Sequence, residues 1–237
     1  MTPREIAATL TILLGCVIFA HGQDAALQIR AVLHDPSKPD AKFFVGKPGA
    51  IMVPLKLAEE GLTESQQVTT DHGNLNLFLS ATADPQHPEA GLAATVKIPP
   101  GTSRLIVIIL PAPKGSPPYQ LVVLKDDAHS FPWGEGKAVN LTAVDFALEV
   151  GKQKVLLSGG KITAVPKVTH VNEYNRAQTN FYYKQGDQWV VAAERQMQYV
   201  GTLRRVFLIF KTPNALAPDV RTLVDHLPQV KPKAAAQ

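Results

Sequence analysis

Seven histidines, a handful of strand-borne carboxylates and a band of aromatic rings are the side chains here with chemistry to offer. Two imidazoles share a metal most readily at i, i+4 on a helix or i, i+2 on a strand, where they fall on one face. His34, His72, His87, His129, His170 and His226 meet neither spacing, and His21 sits in the leader described below. The nearest acid–histidine neighbours, Asp71-His72 and Asp84 with His87, lie in polar loop segments. No metal or other cofactor is expected. Ser158 precedes Gly159-Gly160 without a G-x-S-x-G elbow, so it reads as part of a hairpin turn and not as a nucleophile.

Carboxylates leave one enzymatic reading open. Glu149, Glu173 and Glu194 lie in strand-like segments, and two acids from distant strands can cleave a glycosidic bond without any spacing signature. A carbohydrate-active hydrolase with a dispersed site is therefore one function class.

The aromatics suggest binding instead. Trp133, Tyr174, Phe181, Tyr182, Tyr183, Trp189 and Tyr199 crowd the second half, where exposed rings could stack on sugars. Trp133 and Trp189 are the candidate ligand-binding residues of a glycan-binding module. The competing reading is packing. Tyr182 and Trp189 flank Gln185-Gly186-Asp187, and a cross-strand ring pair there would stabilise a hairpin by about 0.2–1 kcal/mol.

These side chains must be positioned by strands. Leu27, Ile29, Ala31 and Leu33 alternate with polar residues, and Lys42–Val45, Ala50–Leu57, Leu75–Leu79 and Ala93–Ile98 continue the pattern between Pro/Gly-rich turns. Pro54 places its run at a sheet edge. Leu105–Leu110 is apolar on both faces and should be a central strand, paired with Tyr119–Lys125. The second half repeats the style at Lys137–Leu141, Asp145–Val150, Gln153–Leu157, Lys161–Val165, Val168–Tyr174, Thr179–Lys184, Trp189–Arg195 and Arg204–Lys211. Leu216, Val220, Leu223, Val224 and Leu227 follow a 3.6-residue period after Pro218-Asp219, which predicts one short C-terminal helix. About a dozen short strands with frequent turns predict an all-β antiparallel β-sandwich. It spans 23–228 as one domain or, alternatively, as two small sandwiches, 23–128 and 135–228, about the Asp/Pro/Gly-rich Asp126–Gly136. Residues 229–237 read as a disordered tail.

Residues 1–22 decide where the rest works. Arg4, an apolar Ile6–Phe19 and small residues at Ala20 and Gly22 have the order of a secretory signal peptide. The run is shorter than the ~20 residues a spanning helix needs, so no integral membrane span is expected and the protein should be secreted or periplasmic. Leu13-Leu14-Gly15-Cys16 also fits a lipobox, which would anchor the protein through Cys16. Because Cys16 is the single cysteine, a chain cut after Gly22 has no disulfide, thiolate or Cys-zinc chemistry. The net charge of +4 is concentrated after His129, dispersed along strands except at Arg204-Arg205 and in the tail. With no nucleic-acid module recognisable, nucleic acid is not an expected partner. Asn140-Leu141-Thr142 matches a glycosylation sequon, but inside a strand core.

Phe131-Pro132-Trp133-Gly134 followed by Asn140-Leu141-Thr142, after a Pro100-Gly101 turn and the apolar Leu105–Leu110, resembles a block of uncharacterised bacterial secreted β-sandwich proteins. The resemblance covers Leu92–Val165. It implies an exported sandwich and supplies no catalytic residue. Pro132 and Gly134 set a turn, and Asn140 can bond backbone at a strand end, so the block reads as a structural corner. Together these features predict an exported, non-catalytic protein with a binding or structural role in the cell envelope, its partner an envelope protein or glycan. The polar loops Glu59–Gly73 and Asp84–Gly91 are its expected interaction surfaces.

Overall fold

The computed structural model describes residues 26–228, apart from 36, 59–60, 63, 88, 113–116 and 213. The expected leader, with Cys16, and the expected tail lie outside the described residues. The described chain is all-β: seventeen strands in four sheets, and no helix.

The first half runs β1 (Ala26–Leu33), β2 (Phe44–Val45), β3 (Val53–Pro54), β4 (Leu57–Ala58), β5 (Gln66–Thr69), β6 (Asn74–Phe78), β7 (Leu92–Lys97), β8 (Arg104–Pro111) and β9 (Tyr119–Lys125). The second runs β10 (Gly136–Asn140), β11 (Phe146–Val150), β12 (Gln153–Leu157), β13 (Ile162–Val165), β14 (Arg176–Gln185), β15 (Gln188–Gln198), β16 (Leu203–Phe210) and β17 (Asp219–His226).

Each half forms two sheets. In the first half, β1 pairs in parallel with β8, β8 pairs antiparallel with β9, and β4 and β5 share the other edge of β1. Its second sheet has the order β3-β2-β6-β7, with Pro54 on the edge strand, where a missing N–H breaks no ladder. The second half repeats this plan as β13-β10-β16-β17 and β12-β11-β14-β15, including the parallel β10–β16 pair. Even the irregularities coincide. Both β6–β7 and β14–β15 shift register once, leaving Ala93 and Ala192 as the extra residue of a bulge.

Register makes the correspondence residue by residue. Arg104, Ile106 and Ile108 of β8 fall on Arg204, Val206 and Leu208 of β16, Arg30 of β1 falls on Lys137 of β10, and Asp126 falls on Asp225. The chain is a tandem structural duplicate.

Three apolar clusters lie between the four sheets. One joins the two sheets of the first half through residues such as Leu27, Leu75, Leu77 and Leu105. Another joins those of the second half, where Phe181 meets Phe207 edge-on at 5.3 Å. The third joins the halves and is built from equivalent positions: Val32, Ile106, Ile108 and Leu124 meet Val139, Val206, Leu208 and Leu223. This explains why β8 is apolar on both faces. One face fills the first-half cluster and the other fills the seam.

The expected C-terminal helix is not there. Asp219–His226 is β17, antiparallel to β16 over its whole length. Only part of the 3.6-residue stripe is buried: Val220 and Leu223 are in the core, whereas Leu216 is 99% exposed. Pairing with β16 satisfies the backbone and turns Asp225 inward, and Val220, Thr222 and Val224 are β-branched residues that suit a strand. Tertiary pairing overrides the local period.

Candidate functional site

Four ionised side chains are buried where the halves meet. Arg30 projects from β1 and Asp126 follows β9 in the first half; Arg204 lies on β16 and Asp225 on β17 in the second. Arg30 donates from Nε and Nη2 to both oxygens of Asp126, each at 2.8 Å, and from Nη1 and Nη2 to Asp225 at 2.6 and 2.9 Å. Arg204 donates from Nε to Asp225 at 2.7 Å and from Nη2 to Asp126, while its Nη1 reaches the Phe131 carbonyl at 2.7 Å. Each acid thus accepts from an arginine of either half. No side chain of the four is more than 10% exposed.

The connection between the halves completes this quartet. Asp127 accepts from the His129 and Ser130 amides and closes a turn. The turn buries Phe131 and brings Phe131 and Trp133 against the Arg204 guanidinium, with ring centroids 4.5 and 4.3 Å away. Gly134, at φ 89°, then takes a conformation that favours glycine and donates to Leu203 O at 2.8 Å.

Electrostatics follow the geometry. Burial opposes charge on Arg30, but its bonds to Asp225 and Asp126 outweigh that and raise its pKa. Burial would likewise raise the Asp225 pKa, yet the Arg30 and Arg204 guanidiniums hold it below the ordinary carboxylate value. Lys137, the counterpart of Arg30, has a lowered pKa because it is desolvated, and it stands 5.4 Å over the Phe131 ring.

Beside the quartet opens a cleft of about 840 Å³. Its walls are β17 from Arg221 to His226 and the loop residues Gly61, Leu62, Glu64 and Ser65, with Arg30 and Arg104 between them; the stretch 59–73, expected to be a loop, carries β5 after them. Gly61, at φ 78°, lets that loop approach β17; a Cβ there would lie 3.1 Å from Val224 O.

The structure separates the two tryptophans singled out in the sequence. Trp133 is half-buried and stacked on Arg204, whereas Trp189 lies on the edge strand β15, 46% exposed. Trp189 pairs in register with Lys184, not Tyr182, but Tyr182 and Trp189 line one groove of about 330 Å³ with Glu149 and Lys154. Lys154 and Glu149 form an ion pair there at 3.3 Å.

The histidines stay apart. His34 packs edge-on against Phe210 at 4.1 Å and its pKa is lowered, by burial first and then by Arg221. Among the described residues, the His72 and His87 rings bond to their neighbours Asp71 and Asp84. Among the described residues no group of histidines, cysteines and acids could hold a metal ion. Ser158 and Lys161 do stand at S-x-x-K spacing, but across a β-turn closed by Lys161 N and Ser158 O, not on a helix face. Asn140 is a corner, as read: its amide donates to Val144 O and Leu157 O, and its oxygen accepts from Thr142.

Sequence reading missed the quartet. The signal was there: Arg30, Arg204 and Asp225 each interrupt or border an apolar strand run, where a charge needs a buried partner. Comparison of the chain with protein-family models and with curated proteins finds no match.

Proposed function

We propose that the chain is an exported, non-catalytic protein of two β-sandwiches that acts by binding or structural association in the cell envelope. The fate of the buried acids carries this reading. A general acid needs a raised pKa and a free oxygen. Asp225 instead has a depressed pKa and accepts only from arginines, and Asp126 is tied to the same two guanidiniums. The buried charges join the halves, leaving loops and clefts on a rigid frame as the working surface.

Two measurements test it. Intact mass of the native protein from the exported fraction should give a chain beginning at Gln23; an acylated Cys16 would make it a lipoprotein, and a full-length cytosolic chain would overturn export. Incubation with polysaccharides and esters should give retention without products. Product release that vanishes in Asp225→Asn or Asp126→Asn would instead establish the hydrolase reading.

A glycan-binding reading has one observation of its own, the half-exposed Trp189 beside Tyr182 in a shallow groove. Trp189→Ala abolishing retention on a polysaccharide gel would favour it.

A further inference from the structure

The two copies of the strand plan differ at their outermost sheets. In β11 and β14, Leu148 and Phe181 fill the second-half core, so their sequence neighbours Ala147 and Tyr182 lie on the opposite face. Register sets Leu156, Ala147, Tyr182 and Val191 in one row across all four strands, and Lys154, Glu149, Asn180 and Glu194 in the next. Trp189 is the diagonal neighbour of Tyr182 on that face. Leu156, Val191 and Trp189 are 57%, 48% and 46% exposed. Asn180 donates from Nδ2 to Tyr182 Oη at 3.3 Å and accepts from Gln178 at 2.9 Å, which holds the tyrosine ring along β14.

In the first half the positions of Tyr182 and Val191 are taken by Phe78 and Leu92, beside the matching bulge. Phe78 is buried. The connections around it are long, 46–52 and 79–91, and they approach each other: a Cβ on Gly49 would lie 3.2 Å from Pro85. In the second half the same two connections are only Gly151-Lys152 and Gly186-Asp187, and the apolar row is left open.

We propose that this outer face binds a neutral glycan chain, with Tyr182 and Trp189 stacking on its sugars and the Lys154–Glu149 pair bonding its hydroxyls. A pyranose has apolar C–H faces and a polar rim, and here an apolar row with two rings runs beside a polar one. Both rings and both members of the pair line the same groove of about 330 Å³. The ion pair offers donors and acceptors together. Charge on the face balances, with Lys154 and Lys184 against Glu149 and Glu194, so nothing there selects an ionised ligand. Asn180 prearranges the tyrosine ring, which lowers the ordering that binding must overcome. The site rests on the glycan-binding reading and gives it a face, a second ring and a ligand charge.

Affinity electrophoresis through gels holding hydroxyethyl cellulose, pullulan or polygalacturonate tests it. At least one neutral gel should retard the protein, and rising salt should leave that retardation unchanged, since no charge pair with the ligand is screened. W189A and Y182A should each weaken the binding by about tenfold or more, as for a ring that loses its burial against a ligand. Trp189 is half-exposed on an edge strand, so W189A should melt with the parent. Y182F keeps the ring and should keep most of the binding, and Y174A, which removes an exposed ring outside these strands, should change nothing. Retardation by a neutral gel that survives both W189A and Y182A overturns the face and leaves a glycan binder. Retardation by polygalacturonate alone overturns the neutral specificity. Passage through every gel unretarded overturns the glycan reading itself, and self-association abolished by W189A would give the face to a second copy of the chain.

Discussion

Arg204 binds the carboxylates of both halves while the Phe131 and Trp133 rings cover its guanidinium. Shortening it would leave Arg30 as the one guanidinium for two buried acids. Arg204→Ala should therefore cost about 3–5 kcal/mol in urea unfolding, the usual penalty for removing one partner of a buried ion pair. Replacing all four charges with well-packed apolar residues should cost far less, because desolvation opposes much of the pairing energy. pH provides a second test. Asp225 has a lower pKa folded than unfolded, so its stabilisation is complete above the unfolded value of about 4 and is lost as pH falls through the folded value. Melting temperature should drop steeply below about pH 4, and Asp225→Asn should flatten that dependence on an already lower baseline. At this scale the sequence was hard to read. A charge inside an apolar run announces that it needs a partner, but the partners of Arg30 lie at Asp126 and Asp225, which no local pattern connects. Trp133 stands out in the sequence for its ring, and its partner Arg204 only as half of a local basic pair.

Strands were legible where alternation marks a half-buried strand, as in β1, or a continuous apolar run marks a doubly covered one, as in β8 and β16. Asp219–His226 was not, because its apolar residues satisfy a helical period as well as a strand and only the partner strand decides. Substitution separates the two. Leu223→Ala should cost about 2–5 kcal/mol, as for a buried leucine. Leu216→Ala should stay within about 0.5 kcal/mol, as for a surface position, since Leu223 is 1% and Leu216 99% exposed. A helix with the predicted stripe would make both costly. Gly159 tests the turn that Ser158 opens. A Cβ there would lie 2.7 Å from the Ala143 backbone, so Gly159→Ala should destabilise by about 1–3 kcal/mol, measured by thermal melting.

The duplication governs the whole molecule and was invisible in the sequence, because equivalent positions share only character. Ile106 matches Val206 and Arg30 matches Lys137, which preserves apolar or cationic quality without recognisable identity. Two copies of one strand plan each present an apolar inner face with a charged end, and the seam buries both together. The fold class could be read because alternation is local. The cleft could not, because its walls come from both halves. Gly61, Leu62, Glu64 and Ser65, ahead of β5, contribute to it only through their approach to β17. Apolar contact in the third cluster is non-directional, whereas the four charges pair across the seam with fixed hydrogen-bond geometry. Arg30 and Asp225 stand on opposite sides of that seam, so a double-mutant cycle between Arg30→Ala and Asp225→Ala, read by urea unfolding, isolates their contribution. The predicted coupling is at least about 1.5 kcal/mol, as for close interfacial charge pairs. Additivity within about 0.5 kcal/mol would contradict the claim that the buried arginine–aspartate quartet sets how the two halves are joined.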